Sequence, residues 1–574
     1  MTTIPRPRFA VLLVALAVGC NGPAAVDPGP PAPREPPWFE DVTAKLGLKH
    51  LHDCGPITPE YFMPQIMGSG CALFDCDGDG RLDIYLIHNG GPKGAKNQLF
   101  HQEADGTFRD VSAGSGLDVV GYGMGVAIAD VNNDGLPDVL LTEYGATRLF
   151  LNQGGGHFKE ITSAAGLDNP LWATSAAFFD FDRDGWLDLI VVNYVDYDKS
   201  IQCGNLGGKL DFCGPNMFHG TVARLYRNLG GQAGSGGVRF EDVTVKAGLA
   251  AAKGKGLGVL CADFDGDGWP DIFAANDMIA NHLWINQRDG TFKEEAAARG
   301  VAYTLGGASA ANMGIAWADV TGSGLPDLFV THINDETHTL WQQGPRGFFQ
   351  DRTVSAQLTA GRRSTGFGTA LVDFDRDGWP DLALVNGGVR RNPDAKETDP
   401  FLARYAQRHQ LFANAGQGKF RDISESNPAL GGSPEVGRGL AVGDFDNDGA
   451  PDLLMTQVGG SARLLRNIAP AKGHWLGVRA IIPKLKRDAY GAEITVRVEG
   501  KSYWRLLNPG YSYCSSNDPR CHFGLGPKDR YLAIDVSWPD GSEETFAGGP
   551  ADRYVELRQG EGKAGLNRNP KKAS

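Results

Sequence analysis

The sequence predicts an all-β protein: a seven-bladed β-propeller followed by a small β-domain. Three observations predict it. The pattern Asp-x-Asp-x-Asp-Gly-x-x-Asp, exact or degenerate, starts at Asp75, Asp130, Asp180, Asp263, Asp319, Asp373 and Asp444. A second pattern of the form Phe-x-Asp-Val-Thr alternates with it, at residues 39–43 and 240–244, with variants starting at Phe108, Phe158, Phe292, Phe349 and Phe420. A third, Asn-x-Leu-Phe-x-Asn and its variants, falls at residues 97–100, 148–152, 224–228, 281–286 and 410–414. Four short strand-like runs per repeat of about 50 residues, with no helical period between them, is how blades read in sequence.

Each element has its reason. The run before each Asp motif ends on Asp and carries a small residue five positions earlier: Gly70, Gly125, Ser175, Gly258, Gly314, Gly368 and Gly439. An innermost strand crowds the central axis, where a larger side chain would clash. The run after the motif, such as residues 188–192, is β-branched and apolar, as a buried strand requires. The other two patterns supply the third and fourth strands. Residues 39–43 precede the first Asp motif, and the last unit lacks a fourth strand. Residues 39–43 are therefore expected to complete blade seven and remove the exposed edges. The propeller is assigned to residues 38–468.

Length and composition exclude several classes. The chain has 574 residues, 41% hydrophobic and 21% charged, which is globular composition. No apolar run reaches the ~20 residues of a membrane span. A net charge of −13 argues against nucleic acid, which needs basic surface to neutralise phosphates.

Residues 1–20 read as a lipoprotein-type export signal. Arg6 and Arg8 precede an apolar stretch at 9–18, which leads to Cys20, the candidate lipidation site. Residues 21–37 hold seven prolines and form an extended spacer. The expected place is the outer membrane, cell surface or periplasm, with membrane contact through the lipid only. That compartment permits disulfides, and Cys203/Cys213 and Cys514/Cys521 are the closest candidate pairs. Cys54, Cys71, Cys76 and Cys261 are left as buried thiols or a further pair.

The Asp motif is a cation loop. Calcium takes six to eight oxygens, and Asp at positions 1, 3, 5 and 9 of a tight loop can converge on one ion. Position 12 is never Glu and the flanks are strands, so an EF-hand is excluded. Five copies carry all four carboxylates: Asp75, Asp77, Asp79 and Asp83; Asp180, Asp182, Asp184 and Asp188; Asp263, Asp265, Asp267 and Asp271; Asp373, Asp375, Asp377 and Asp381; Asp444, Asp446, Asp448 and Asp452. A sixth has Asp130, Asn132, Asp134 and Asp138. The copy with Thr321 and Ser323 keeps only Asp319 and Asp327 and is expected to be weak or empty. About six structural Ca²⁺ would add about +12 to the net −13.

Five residues beyond each last Asp stand His88, Glu143, Asn193, Asn276, His332, Asn386 and Gln457. They are expected around one mouth of the channel, opposite the Asp loops, either capping strand ends or binding a polar ligand. Long segments fall on the same face: 46–69 with His50, His52, Tyr61 and Phe62; 194–223; and 387–409 with Arg390, Arg391, Arg404 and His409. Long loops on a rigid scaffold are where binding concentrates. No hydrolase pattern, phosphate-cradling loop or HExxH spacing is present, and no enzyme activity is expected.

The repeats resemble the FG-GAP repeats of integrin α-subunit propellers, and more closely those of the cartilage acidic protein family and its bacterial relatives. In that family an ASPIC/UnbV-type domain follows the propeller. The matching stretches here are His-Trp-Leu-Gly-Val-Arg at 474–479, Asp-Ala-Tyr-Gly-Ala at 488–492, His-Phe-Gly-Leu-Gly at 522–526 and Val-Ser-Trp-Pro-Asp-Gly at 536–541. Residues 474–558 are assigned to this β-domain and 559–574 to a polar tail. The favoured expectation is an adhesion or binding scaffold for a protein or glycan at the face opposite the calcium loops, where the long segments fall. The alternative is a propeller enzyme or redox accessory using the polar and histidine ring on that face, with the histidines and Glu143 as its reactive groups; histidines 50, 52, 88, 332 and 338 are also candidates to gather around a transition metal.

Overall fold

A computed structural model describes residues 35–204, 208–230, 237–359, 364–396 and 398–565. The export signal, Cys20, most of the proline-rich spacer and the end of the polar tail lie outside the described residues. From Pro36 onward the chain clusters as one unit.

Among the described residues, 39–467 form seven four-stranded antiparallel sheets, each a meander from an inner to an outer strand. The first blade runs Cys71–Phe74, Asp83–Leu86, Gln98–Gln102 and Phe108–Asp110. The seventh takes its outer strand from the other end of the ring: Phe39–Asp41 pairs with Arg463–Asn467, Phe39 opposite Asn467. Inner strands are buried on both faces because a blade packs against two neighbours. Side chains alternate between those neighbours. Cys71 and Leu73 face the core shared with blade seven. Ala72 and Phe74 face the core shared with blade two.

Residues 474–565 form two further sheets. His474–Ile482 pairs antiparallel with Cys521–Gly526 and parallel with Arg553–Arg558. The second sheet is built on Glu493–Val498 and Arg530–Ser537. Leu476, Val478, Ile494, Val496, Phe523 and Val536 fill the core between them.

The loop between these sheets, residues 507–520, passes into the propeller's central channel and reaches every blade. Asn508 Nδ2 donates to Cys261 O at 3.0 Å in blade four. Ser512 exchanges main-chain hydrogen bonds with Ile315 in blade five at 2.8 and 3.1 Å, and its hydroxyl accepts from Thr369 N in blade six at 3.0 Å. Cys514 O accepts from Val126 N in blade two at 3.3 Å, and Cys514 N donates to Ser175 Oγ in blade three at 3.3 Å. Ser516 bonds Cys71 O and Leu73 N in blade one at 3.0 and 3.1 Å. Asn517 Oδ1 accepts from Val442 N in blade seven at 2.9 Å. The small residues of the inner strands make room for this loop and for each other. A Cβ on Gly70 would strike Cys514 O, and one on Gly314 would strike Phe367 O.

The cysteines correct one expectation. Cys203 and Cys213 are bridged, across the two-stranded ribbon of Cys203–Gly204 and Leu210–Asp211. Cys514 and Cys521 are not; both are buried thiols, as are Cys54, Cys71, Cys76 and Cys261. Cys514 lies in the channel with its thiol toward Thr174 O, whereas Cys521 sits in a sheet opposite Val478. Although close in sequence, they fall on different elements.

Candidate metal centres

The Asp loops all lie at the same end of the inner strands. In blade one, Asp75 accepts Gly80 N at 2.8 Å and Asp79 N at 3.1 Å, folding the loop around its first carboxylate. Gly80 has φ +87, a left-handed conformation that glycine adopts without strain. The ninth-position Asp has a different task. Asp83 accepts Cys76 N and Gln102 N, both at 2.9 Å. Asp452 likewise accepts Phe445 N at 3.1 Å and Asn467 N at 2.7 Å. These carboxylates have almost no exposure, and burial pushes the carboxyls of Asp138, Asp188, Asp271, Asp381 and Asp452 well above their usual range.

Oxygens at positions 1, 3 and 9 converge. In the loops of Asp75, Asp180, Asp263 and Asp373 one carboxylate oxygen from each of these positions lies within 4.8 Å of the others. Asp77, Asp182 and Asp446, all at position 3, each turn an Oδ1 that has neither accessible surface nor a donor into the loop. An ionised oxygen buried without a partner is costly. A hard dication would supply the missing partner, and an all-oxygen donor set suits Ca²⁺. The loop with Asn132 keeps its first-position folding bond, Gly135 N to Asp130 Oδ2 at 2.8 Å. The loop of Asp319 and Asp327 closes by the same main-chain bonds, Gly324 N to Asp319 Oδ2 at 2.7 Å and Val320 N to Asp327 Oδ2 at 3.1 Å. Its Thr321 and Ser323 bring no further carboxylate.

The C-terminal domain lies on this face. Arg487 donates to Asn133 Oδ1 at 2.7 Å and Gly185 O at 3.2 Å. Tyr554 donates to Asp444 Oδ2 at 2.6 Å, Lys501 to Gly378 O at 3.0 Å, and His522 Nε2 to Gly449 O at 2.9 Å. Loops of blades two, three, six and seven are thus contacted by the second domain.

The opposite face is roofed. The six residues His88, Glu143, Asn193, Asn276, His332 and Asn386 are buried, and Gln457 is half-buried. They do not surround an open mouth. Asn193 Nδ2 donates to Val222 O at 2.8 Å, Asn276 Nδ2 to Ala280 O at 2.9 Å, and Gln457 Nε2 to Ser461 O at 2.9 Å, so these side chains close strand ends. Glu143 faces Arg148 at 3.7 Å. The channel below is filled: Tyr513, at the tip of the threaded loop, donates to Met67 O at 2.9 Å. Fully buried Arg438 ties the roof together through Ile66 O, Gly387 O and Gly388 O. Arg391, from the 387–409 segment, pairs with Asp211, from the 194–223 segment, at 3.3 Å.

The five histidines divide into two groups. His50 and His52 each stack on His88, with ring centroids 4.8 and 5.7 Å away, and lie tilted 6.4 Å from each other; His332 lies 6.4 Å from His338. In the first group every Nδ1 accepts a main-chain N–H, from Ala462, Gly459 and Asp53. A neutral imidazole has one lone pair, so Nε2 carries the proton and is no metal ligand. Burial holds His50 down to about 3, which keeps it neutral.

Sequence reading missed three features. The amide of the third-strand pattern is an inter-blade latch: Asn152 Nδ2 donates to Cys76 O in the preceding blade at 2.8 Å. The channel loop gives no local signal, because its role depends on seven strands distant in sequence. On the roofed face, Phe62, Tyr122, Tyr144 and Tyr197 form a half-exposed cluster, with Phe62 4.9–5.7 Å from the other three rings. Two loops and a strand end supply these rings, with no fixed spacing.

Comparisons with known proteins agree with this architecture. The model of the FG-GAP-like repeat matches residues 75–141, 130–191, 263–330, 319–384 and 398–455. The ASPIC and UnbV model matches residues 483–564. The chain is 28% identical over 314 residues to Cartilage acidic protein 1 of Xenopus tropicalis, covering 53% of this chain and 44% of that protein. It is 27% identical over 327 residues to Cartilage acidic protein 1 of Homo sapiens, covering 55% and 46%. The chain therefore spans about half the length of these curated relatives. Among solved structures, YCF48 bound to D1 peptide aligns with TM-score 0.40 and 10% identity, covering 77% of this chain and 99% of that one. Among the described residues, no helix is long and apolar enough to cross a membrane. With its Asp loops, latches and second β-domain, the chain belongs to the FG-GAP-like repeat family and carries an ASPIC and UnbV domain.

Proposed function

We propose that the protein is an exported, calcium-binding propeller scaffold that presents the face opposite its Asp loops to a protein or glycan partner. One observation carries the reading: the C-terminal domain occupies much of the Asp-loop face, on the loops of blades two, three, six and seven, so the loop-rich roof is the broader face left for a partner. The half-exposed cluster of Phe62, Tyr122, Tyr144 and Tyr197 supports it. Aromatic rings with a polar edge give large contact area at low entropic cost, and tyrosine is enriched at binding hot spots. The Cys203–Cys213 bridge supports an oxidising compartment. Lipidation at Cys20 would hold the scaffold at a membrane surface. The calcium ions are structural in this reading: they neutralise the loops that position the second domain.

Elemental analysis of the purified protein and a glycan and protein-partner screen test the reading together. About six calcium atoms per chain are expected, with a binding signal that Tyr144→Ala and Tyr197→Ala weaken about tenfold or more. Calcium below one per chain, or a partner whose binding ignores both tyrosines, overturns the respective half of the proposal. Labelled fatty acid incorporated by wild type but not by Cys20→Ala is expected for the anchor.

A further inference from the structure

In every other loop with four carboxylates, Lys or Arg side chains face the carboxylates at both positions 3 and 5. Arg227 spans Asp182 and Asp184 at 2.6 and 3.1 Å in blade three. Arg299 and Arg288 take Asp265 and Asp267 in blade four, at 3.1 and 2.6 Å. Lys472 spans Asp375 and Asp377 in blade six at 2.5 and 3.6 Å. Arg466 and Arg376 face Asp446 and Asp448 in blade seven, at 2.9 and 3.9 Å. The outer carboxylate pair is a place where this fold puts a cation.

Blade one departs from the pattern. The third-strand position that is Arg227 in blade three is His101 here. Among the described residues, Asp77 has no Lys or Arg within ion-pair distance; its Oδ2 faces His101 Nδ1 at 3.6 Å. His101 Nδ1 lies 3.1 Å from Asp83 Oδ1, an acceptor, which directs the N–H there. That leaves Nε2 with its lone pair, 3.9 Å from Asp79 Oδ2. A carboxylate that fixes one imidazole nitrogen while the other is free is the usual support of a metal-binding histidine. One ligand atom each from Asp77, Asp79 and His101 lie within 4.8 Å of one another. Two ligands of one tetrahedral zinc stand about 3.3 Å apart, so the widest of these spacings has to close by up to about 1.5 Å when the ion binds. Asp77 serves both sides of the loop, its buried Oδ1 turned inward and its Oδ2 toward His101. Arg81 contacts the same Asp79 Oδ2 that faces His101 and has to move aside or turn to Oδ1 for an ion to bind there.

We propose that blade one holds a second, outer cation site, made by Asp77, Asp79 and His101, for a first-row divalent ion of the zinc class. Imidazole nitrogen suits such ions and adds little for calcium, which takes oxygen. The inference rests on the reading of the loops as cation sites.

The test uses the full chain in excess calcium, titrated with Co²⁺ as a spectroscopic stand-in for zinc. One Co²⁺ per chain is expected to survive dialysis against excess Ca²⁺, with visible d–d absorption that Zn²⁺ abolishes. His101→Leu, which copies Leu151 of blade two, should weaken that ion at least tenfold. Arg227→His should add a second Co²⁺ in blade three, and this gain is readable even where His101→Leu fails to fold. Displacement of all Co²⁺ by calcium, retention unchanged in folded His101→Leu, or no gain in Arg227→His overturns the proposal. Calcium bound with no retained Co²⁺ overturns this site alone; neither ion bound overturns the loop reading as well.

Discussion

The side-chain amide of Gln102 in blade one donates to the main-chain carbonyl of Phe445 in blade seven at 2.9 Å. It is one link of seven. Asn152, Asn228, Asn286, Gln343, Asn414 and Asn467 make the same bond to Cys76, Val131, Phe181, Phe264, Val320 and Phe374 of the blade before each. The main-chain N–H of each latch residue donates to the ninth-position Asp of its own loop, as Asn286 N does to Asp271 at 2.8 Å. Each loop is thereby tied to the next around a closed ring.

Removing one link should be costly because its acceptors are buried. Asn286 Nδ2 serves both Phe181 O and Pro270 O. Asn286→Ala is expected to lose about 2–3 kcal/mol of stability, two buried carbonyls being left without a donor. Denaturant unfolding measures the loss, and a change below about 0.5 kcal/mol would show that the latch is dispensable.

The ninth-position Asp should matter even where no ion is held. Asp327 accepts Val320 N and Gln343 N in the loop that lacks the middle carboxylates. In metal-free buffer Asp327→Ala and Asp381→Ala should destabilise alike, by about 2–3 kcal/mol, because each leaves two main-chain N–H groups without their acceptor. Added calcium should widen the gap from wild type only for Asp381→Ala. Equal widening for Asp327→Ala would place an ion in blade five.

Calcium dependence should vary with pH in a fixed direction. Burial raises the carboxyls of Asp130 to about 6 and of Asp180 to about 7, above the 3.8 of an exposed Asp. Between these values the metal-free folded state binds more protons than the unfolded chain. Its stability therefore falls as pH rises from about 4 to about 7. Calcium replaces those protons, so the rise in melting temperature on adding calcium should grow from pH 5 to pH 8. A metal-free melting temperature that climbs across that range would refute the assignment.

The threaded loop should be essential to the fold. Tyr513 is fully buried at its tip, against Phe367 with centroids 4.8 Å apart. Tyr513→Ala is expected to cost about 3–5 kcal/mol, as for other large buried aromatics. Limited proteolysis should then cut within residues 507–520, which wild type protects. Protection equal to wild type would mean the loop is held without its tip.

Thiol counting checks the corrected cysteine assignment. Burial lifts the thiols of Cys71, Cys514 and Cys521 to about 12, so the native protein should not react with a thiol reagent at pH 8. Denaturation without reductant should release six thiols besides any at Cys20, from Cys54, Cys71, Cys76, Cys261, Cys514 and Cys521. Four would restore the Cys514–Cys521 bridge.

Sequence alone determined what repeats. A blade buries both faces of its inner strands and turns on an Asp loop, so apolar runs, small residues and carboxylates recur at fixed spacing and show the fold without coordinates. Strand Phe39–Asp41 could be assigned to blade seven because a ring leaves one strand short at one end and one spare at the other. Tertiary structure decided what is made only once. Residues 507–520 enter the channel because seven distant inner strands together leave donors and acceptors there, and no local pattern encodes that meeting. The same loop separates Cys514 from Cys521. The polar residues at the end of each second strand left two readings open, strand-end caps or a ligand ring, because regular spacing fits both. Roof and channel loop cover them, and whether a polar side chain meets solvent or a carbonyl depends on what folds over it.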